Sequence, residues 1–343
     1  MSALAIPVRR SDRVSVSRTS ASLAAAAITL VVAAALPFIV GDFYTGILVS
    51  VVVNACVFLS ITVLTGYVGQ ISLGQASLMG VGAYISALLT NRLGIPVFAA
   101  VPLAGLGTIP FSMIIGLPAL RLRGLQLAVV TLLFTTTMAS VVFRNPDVIQ
   151  QVTQRTLTSA DSITGVRLPQ AAWNGQLLSN RAYYWVALAF LVGLMVLVRN
   201  VRRGRVGRVL IATRESEETV AAAGSSVVRA KLTAFAISAF CAGVGVSLFG
   251  HFSGQVSWVD FDTFRSIFFF ALAALAGLDS IPGAVLAAAL LILPPEVFTG
   301  ASNLESTTFL AAGAMLVVVI LWLPQGVMRS GPVLAAALRR RGH

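Results

Sequence analysis

Apolar runs long enough to cross a lipid bilayer recur along most of the chain. The first extends from Ser22 to Val40 and the second from Tyr44 to Leu64. A membrane helix needs roughly 20 mainly apolar residues, and a chain in lipid has to satisfy its backbone polar groups internally. The mean hydropathy of +0.91 and a charged fraction of only 10% are typical of the same class. We therefore predict an all-α integral membrane protein.

Eight further apolar runs bring the predicted number of transmembrane spans to about ten. The runs at 266–278 and 283–298 are shorter than a full crossing, which favours half-helices or re-entrant segments. The stretch 65–90 in the first half of the chain is interrupted as well. Paired interruptions of this kind indicate a pathway or binding site at the interface of an internal pseudo-repeat. The eight runs are 76–90, 95–117, 125–143, 182–198, 232–250, 266–278, 283–298 and 306–323.

Residues 65–84 combine glycines with a string of polar side chains between two apolar runs. A continuous membrane helix would not place them so densely, whereas a broken helix that lines a cavity would. Amide side chains are the stronger pathway candidates, because an unpaired amide in hydrocarbon is costly. The glycines fit close helix packing at least as well. The predicted pathway residues are Asn54, Gln70, Ser72, Gln75 and Ser77, and the broken-helix glycines are Gly66, Gly69, Gly74, Gly80 and Gly82.

The basic residues indicate how the chain is oriented in the membrane. On the predicted path, 18 of the 24 lysines and arginines fall on one side and six on the other. Because basic residues are enriched in cytoplasmic loops, both termini are predicted to be cytoplasmic. The formal net charge of +12 is then a consequence of topology and does not indicate nucleic-acid binding. The predicted segments are a basic N-terminal segment (1–21), a transmembrane domain (22–325) with an external loop (145–181) and a cytoplasmic loop (199–231), and a basic tail (326–343).

Residues 212–223 form a short predicted helix within the cytoplasmic loop. Its first half is charged and its second half apolar, and Gly224 suits a left-handed C-terminal cap. Ser225 or Ser226 can cap the start of the next membrane helix. Such a helix can pass a partner's motion into the bilayer, although a generic juxtamembrane helix has the same composition.

The chain has few residues for metal, redox or nucleotide chemistry. Cys56 and Cys241 both lie in apolar runs, and the only histidines are His251 and His343. These residues form neither a disulfide framework nor a zinc cluster, and no His, Cys or carboxylate cluster is available for the acid–base or nucleophilic work of a membrane-embedded enzyme. There is no phosphate-binding loop with its lysine, since Lys231 is the single lysine. We predict no catalytic site, no metal and no cofactor, so that any ATP is bound by a partner.

Four segments carry a resemblance to a known family. Residues 66–84 resemble the Gly-x-x-Gly-Gln-x-Ser-Leu-Gly-(His/Gln)-Ala signature of permease subunits of branched-chain amino-acid ABC transporters, the LivM-like branch. Residues 120–132 are similar to a Leu-Arg-Leu-Arg-Gly motif of that branch. Residues 207–224 resemble its coupling segment, and 276–283 resemble its late Gly-Gly-x-Gly-Ser-x-x-Gly turn. The motifs occur in family order over most of the chain, from about residue 46 to 325.

Some positions depart from the family pattern. Gln126 stands where an aromatic residue is common, and Ala276 and Asp279 replace glycines of the late turn. Residues 158–165 keep only part of a glycine-rich external motif. These departures bear on the substrate more than on the transport machinery.

The resemblance implies half of a membrane importer in a bacterial cell membrane. Two permease subunits would form the pathway, two ATPase subunits would bind below, and a solute-binding protein would deliver the ligand from outside. The substrates implied are branched-chain amino acids, or a related polar solute such as urea or a short amide. It also implies ATPase contact at Arg214, Glu215, Glu218, Ala222 and Gly224, and binding-protein docking at Thr158, Asp161 and Gly165.

An ion-gradient-driven secondary transporter of amino acids is the alternative function. Such a transporter usually needs an intramembrane carboxylate or an unwound cation site. No acidic residue lies in the middle of a predicted span, and Asp279 and Glu296 lie at breaks or ends. This distribution of acidic residues, together with the coupling-like segment, favours the ATP-driven class.

Overall fold

The computed structural model describes residues 31–122, 124–153, 165–173 and 176–299. Over these residues the chain is mainly helical, and four two-residue strands lie outside the apolar runs. The helices are α1 (31–39), α2 (Asp42–Ile61), α3 (Gln75–Asn91), α4 (Val97–Ala119), α5 (Leu125–Met138), α6 (Pro146–Thr153), α7 (Asn180–Arg203), α8 (Arg205–Glu215), α9 (Glu217–Ala222), α10 (Val227–Ser253), α11 (Thr263–Ala276) and α12 (Ile281–Thr299). The strands are β1 (Val166–Arg167), β2 (Ala172–Trp173), β3 (Gln176–Leu177) and β4 (Gln255–Val256).

Five helices in the described part of the chain are long and apolar enough to cross a membrane. They cover Asp42–Tyr67, Val97–Pro118, Gln126–Phe143, Asn180–Arg203 and Val227–Ser253. Helices α3, α11 and α12 add shorter apolar segments, with a break between the last two. The prediction of an all-α, multi-pass membrane protein with broken helices is confirmed.

Some predicted segments cannot be compared with the described residues. The predicted last span at 306–323 and the terminal segments 1–21 and 326–343 lie outside them. Of the predicted first span, 22–40, only residues 31–40 are described, and 31–39 are helical.

The centre of the molecule is built by α2 and α10. In α2 with its continuation, 78% of the most apolar 18-residue stretch is buried, and in α10 67% is buried. In the other three spans only 33–39% of that stretch is buried. Glycines let these helices and their neighbours approach closely. A Cβ atom added to Gly82 of α3 would lie 2.7 Å from the Cα of Gly243 in α10, and one added to Gly245 would lie 2.9 Å from the backbone nitrogen of Val57. The interior is therefore dense, and the other long helices expose apolar faces.

The predicted external loop contains structure that its composition did not indicate. Helix α6 occupies its first part, and β2 pairs with β3 as a short antiparallel hairpin. Strand β1 pairs antiparallel with β4, which directly follows α10, so that Val166 lies opposite Val256. The loop is thereby attached to the end of a central helix.

Candidate functional site at the two helix interruptions

The predicted interruption after the second apolar run is present. Helix α2 continues as a π-helical segment, Thr62–Tyr67, and from Gly69 the chain is non-helical until α3 begins at Gln75. Gly69 has a φ of +74°, a left-handed conformation that glycine adopts without steric cost. The glycine and polar content of this stretch thus produces a broken helix.

Hydroxyl groups from other helices satisfy the backbone at this break. The backbone nitrogen of Leu73 donates to Thr131 Oγ1 at 2.9 Å, and the backbone nitrogen of Ala76 donates to Ser266 Oγ at 3.0 Å. Thr135 Oγ1 donates to the Leu73 carbonyl at 3.2 Å. Irregular backbone within a membrane protein needs such partners, because no bulk water is available. The sequence did not predict that these hydroxyls reach the break, although Thr131 lies within the family-like residues 120–132.

Gln75 joins three helices through its amide. Ser60 Oγ of α2 donates to Gln75 Oε1 at 3.1 Å, and Gln75 Nε2 donates to Ser238 Oγ of α10, also at 3.1 Å. Only 2% of Gln75 is exposed. Within the chain the amide is enclosed and bonded at both ends, so its place on the pathway stays a prediction.

The other four predicted pathway residues are also buried within the chain. Asn54 Nδ2 donates to the Ser50 carbonyl at 2.8 Å, and Ser77 Oγ donates to the Gly74 carbonyl at 2.7 Å. These bonds lie within one helical turn, and they account for polar groups in an apolar setting without a solute. The four residues are Asn54, Gln70, Ser72 and Ser77.

The contacts of the predicted broken-helix glycines favour the packing alternative. A Cβ atom at Gly80 would overlap the ring of Phe143, and the site at Gly82 lies against α10 as described above. Gly74 has ordinary van der Waals room, with the nearest atom at 3.4 Å. Gly66 lies against the second interruption, and Gly69 lies against the side chain of Arg214.

The second interruption is the turn between α11 and α12. Gly277 has a φ of +113°, and Ser280 Oγ accepts a hydrogen bond from the Gly283 backbone nitrogen at 3.1 Å, which caps the start of α12. The Leu278 carbonyl oxygen occupies the position that a Cβ atom at Gly66 would take. The two interruptions are therefore in direct backbone contact, although they are about 200 residues apart in the sequence.

Two arginines from the predicted cytoplasmic loop bind at this contact. Arg214 Nη1 donates to the Gly66 carbonyl and lies 3.2 Å from Asp279 Oδ1. Arg202 Nη1 donates to the Asp279 carbonyl at 3.0 Å. A Cβ atom at Gly69 would lie 2.8 Å from Arg214 Cγ, so the arginine stem depends on a glycine there. We call Gly66, Gly69, Arg202, Arg214 and Asp279 the arginine junction.

The predicted helix at 212–223 is split in the structure, which corrects the single-helix prediction. Helix α8 ends at Glu215, Ser216 is extended, and α9 covers Glu217–Ala222. Ser216 Oγ accepts a hydrogen bond from the Thr219 backbone nitrogen at 3.2 Å, as an N-cap does. The left-handed stop is found at Gly224, whose φ is +74°, and Ser226 caps α10.

The predicted ATPase-contact residues differ in where they point. Glu215, Glu218 and Ala222 are exposed, whereas the side chain of Arg214 turns inward to the arginine junction. Val220, in the apolar half of the predicted helix, is only 5% exposed. Residues 213–218 line an open surface cavity of about 350 Å³ beside these exposed groups.

A buried ion pair anchors α9 to the adjacent membrane helix. Lys231 Nζ lies 2.9 Å from Glu217 Oε1, and the lysine side chain is 2% exposed. The Glu217 side chain is 25% exposed, so the pair reaches the surface at its carboxylate, whereas the lysine charge lies in the interior. The segment 205–223 is thus held at α10 by one ion pair and at the interruptions by another.

The opposite end of the molecule contains the predicted docking segment. Thr158 and Asp161 lie outside the described residues. Gly165 is buried, with a φ of +93°, and packs against the backbone of Val256 in β4. Its position indicates a structural role in joining β1 to β4, and docking stays a prediction.

His251 was not assigned a role from the sequence, and it lies beneath this loop. His251 Nδ1 donates to the Pro169 carbonyl at 2.7 Å, and Nε2 lies 2.9 Å from Ser86 Oγ. Ser86 Oγ is 2.6 Å from Ser247 Oγ. This network fastens the loop to α3 and α10. Among the described residues, no cluster of three or more His, Cys, Asp or Glu is placed to hold a metal ion.

Comparison with known proteins finds a family and two curated relatives. The family described as "Branched-chain amino acid transport system / permease component" matches residues 43–320. The high-affinity branched-chain amino acid transport system permease protein LivM of Salmonella typhimurium is 32% identical over 315 residues, and that of Escherichia coli 31%. Each alignment covers 87% of this chain and 73% of the relative. No solved structure shows significant similarity.

Proposed function

The chain belongs to the family of branched-chain amino acid transport system permease components, and from this premise we propose that it carries branched-chain amino acids across the membrane. As a member it is the permease subunit of an ABC importer and not a catalytic enzyme. The observation that carries the substrate proposal is the match over residues 43–320 together with the two LivM relatives. Urea or a short amide is the second candidate, because the polar residues near the break are neutral hydrogen-bonding groups.

The proposed partners follow from how such a permease is powered. The chain has no phosphate-binding loop, so ATP is bound by separate ATPase subunits. A second permease subunit completes the pathway, and a solute-binding protein delivers the ligand from outside. Support for an ATPase surface comes from Glu215 and Glu218, which are exposed and line the surface cavity, and from the exposed Ala222 of α9.

The proposed location is a bacterial cell membrane, with both termini and residues 199–231 in the cytoplasm. The 18-to-6 distribution of basic residues supports this orientation. Both native cysteines are buried, which keeps their background labelling low. In sealed cells, an impermeant thiol reagent should label a cysteine placed at Ser162 and not one placed at Ser216. The reverse labelling pattern would overturn the orientation.

The function is tested by uptake in proteoliposomes that contain the permease complex, its ATPase subunits and the binding protein. Radiolabelled leucine is expected to accumulate only when ATP is present on the ATPase side. Leucine uptake driven by a proton or sodium gradient without nucleotide would instead establish the secondary transporter. Uptake of urea with ATP, but not of leucine, would overturn the substrate proposal and leave the ATP-driven class intact.

The surface around Ala222 is expected to be the site at which the ATPase subunit binds. Ala222→Asp should reduce ATP-driven leucine uptake at least tenfold, because it would bury an unpaired charge in the interface. Glu218→Gln should have a small effect, since it keeps the shape and removes one rim charge. Ala222 is exposed in this chain, so the aspartate should leave the subunit folded. Normal uptake and normal ATPase binding by the Ala222→Asp complex would show that the ATPase subunit does not bind at this surface.

A further inference from the structure

One side chain of α8 holds both helix interruptions at once. The stem of Arg214 lies on Gly69, and its Nη1 atom bonds to the Gly66 carbonyl and to the Asp279 carboxylate. Gly66 belongs to the π-helical end of the first interruption, and Asp279 belongs to the turn between α11 and α12. The segment that carries the ATPase-facing groups is thus linked by a single residue to both breaks.

We propose that Arg214 is a positioning residue for transport, which fastens α8 to the two interruptions so that a displacement of α8 moves them together. The inference rests on the proposed function, since it requires an ATPase that displaces α8. It differs from the prediction that Arg214 itself contacts the ATPase. In this chain the guanidinium faces its own subunit and acts through Gly66 and Asp279.

The chemistry of the two acceptors explains why an arginine is needed. The Gly66 carbonyl lies near the C-terminal end of a helical segment, where backbone carbonyls carry partial negative charge and favour a cation. Asp279 adds a full negative charge. The arginine guanidinium carries five donors in a planar fork and serves both acceptors, whereas a lysine has one point charge on a flexible stem.

The exposure of the ion pair suits a link that breaks and re-forms. The side chains of Arg214 and Asp279 are 34% and 43% exposed, so water screens the pair and its contribution to stability is small. The Glu217–Lys231 pair is far more buried and holds the other end of the segment. Loss of the Arg214 contacts should therefore change motion at the breaks without unfolding the segment.

Because of Arg202, substitutions of Arg214 and of Asp279 should differ in their effect on transport. It donates to the Asp279 backbone carbonyl, and its guanidinium lies 5.4 Å from the centre of the Tyr67 ring. The turn therefore stays attached when the Asp279 carboxylate is neutralised. Loss of Arg214 removes the bond to Gly66 as well, so its effect should be the larger.

The test compares Arg214→Ala, Arg214→Lys, Asp279→Asn and the Arg214→Ala/Asp279→Asn double variant in the reconstituted complex. Leucine uptake and ATP hydrolysis are measured together, and the ratio of the two is the readout. Arg214→Ala should lower leucine transported per ATP about tenfold, within the range of coupling between sites. Asp279→Asn should lower it less, and Arg214→Lys should restore part of the loss. Arg205→Ala is the matched control, an exposed arginine of the same helix that lies outside the coupling-like residues 207–224, and should leave the ratio unchanged.

The double variant decides whether the two residues act as one unit. Because Arg214→Ala already removes the ion pair, the double variant should be no worse than that single variant. An unchanged ratio in Arg214→Ala, or additive losses in the double variant, would overturn the proposal. If Arg214→Ala fails to assemble, the decision passes to Arg214→Lys and Asp279→Asn, and unchanged ratios in both would overturn it. A parent complex that does not transport leucine with ATP would contradict the proposed function itself, which is a separate outcome.

Discussion

Gly66→Val is expected to abolish leucine uptake and to reduce the amount of assembled complex. The Leu278 carbonyl oxygen lies where the valine Cβ would be, and the Leu278 carbonyl carbon is only 2.9 Å from the same position. Backbone atoms cannot swing aside as a flexible side chain can, so the two interruptions would have to separate. Forced overpacking typically costs about 1–3 kcal/mol, and a clash with backbone atoms of the facing turn places this variant at the upper end.

The matched control is Gly193→Val in α7, where nothing lies within 4 Å of an added Cβ atom. This variant also introduces a β-branched residue into a membrane helix, but it should assemble and transport like the parent. Assembly is measured by size-exclusion chromatography in detergent, and stability by thermal unfolding. Parent-like uptake and melting temperature in Gly66→Val would show that the contact between the interruptions is not required.

Composition and periodicity were sufficient to predict the fold class and the positions of both breaks. The apolar runs predicted the helices, because a backbone in lipid has to satisfy its polar groups within the chain. The density of glycine between Gly66 and Gly82 set the first break, and the Asp279–Pro282 interruption set the second. These are local properties of the chain, so sequence alone reveals them.

The groups that complete the first break could not be predicted in the same way. Three hydroxyl residues, each within an apolar run of a different helix, reach this break. They are Thr131, Ser238 and Ser266. Which hydroxyls reach the break depends on how the helices pack, and periodicity does not encode that. The same applies to Arg214, whose charge was evident but whose partners lie 148 and 65 residues away.

The split of the coupling segment had a local signal that the prediction of one helix overlooked. Ser216 is followed by two glutamates and then Thr219, and a serine before acidic residues is a typical start of a new helix. Because good helix formers surround it, propensity alone favoured continuity. The cap at Ser216 instead directs α9 toward α10, where Glu217 reaches Lys231.

Gln75→Leu is expected to reduce leucine uptake more than Ser77→Ala, and the difference should exceed what the loss of stability explains. The leucine side chain at position 75 can form neither hydrogen bond of the amide, to Ser60 or to Ser238. Each of these bonds typically contributes about 1 kcal/mol to stability. Ser77→Ala removes one bond within its own helical turn, to the Gly74 carbonyl, so it should cost less.

The readout that separates the two roles of Gln75 is uptake per assembled complex. If the amide lies on the pathway, uptake per complex should fall at least tenfold in Gln75→Leu, because the solute loses a hydrogen-bonding partner at the break. Ser77→Ala should keep uptake per complex near that of the parent. If uptake in Gln75→Leu falls only in proportion to the amount of complex, Gln75 fastens α3 to α2 and α10. The pathway would then have to be sought on exposed helix faces, because the other four pathway candidates are buried within the chain as well.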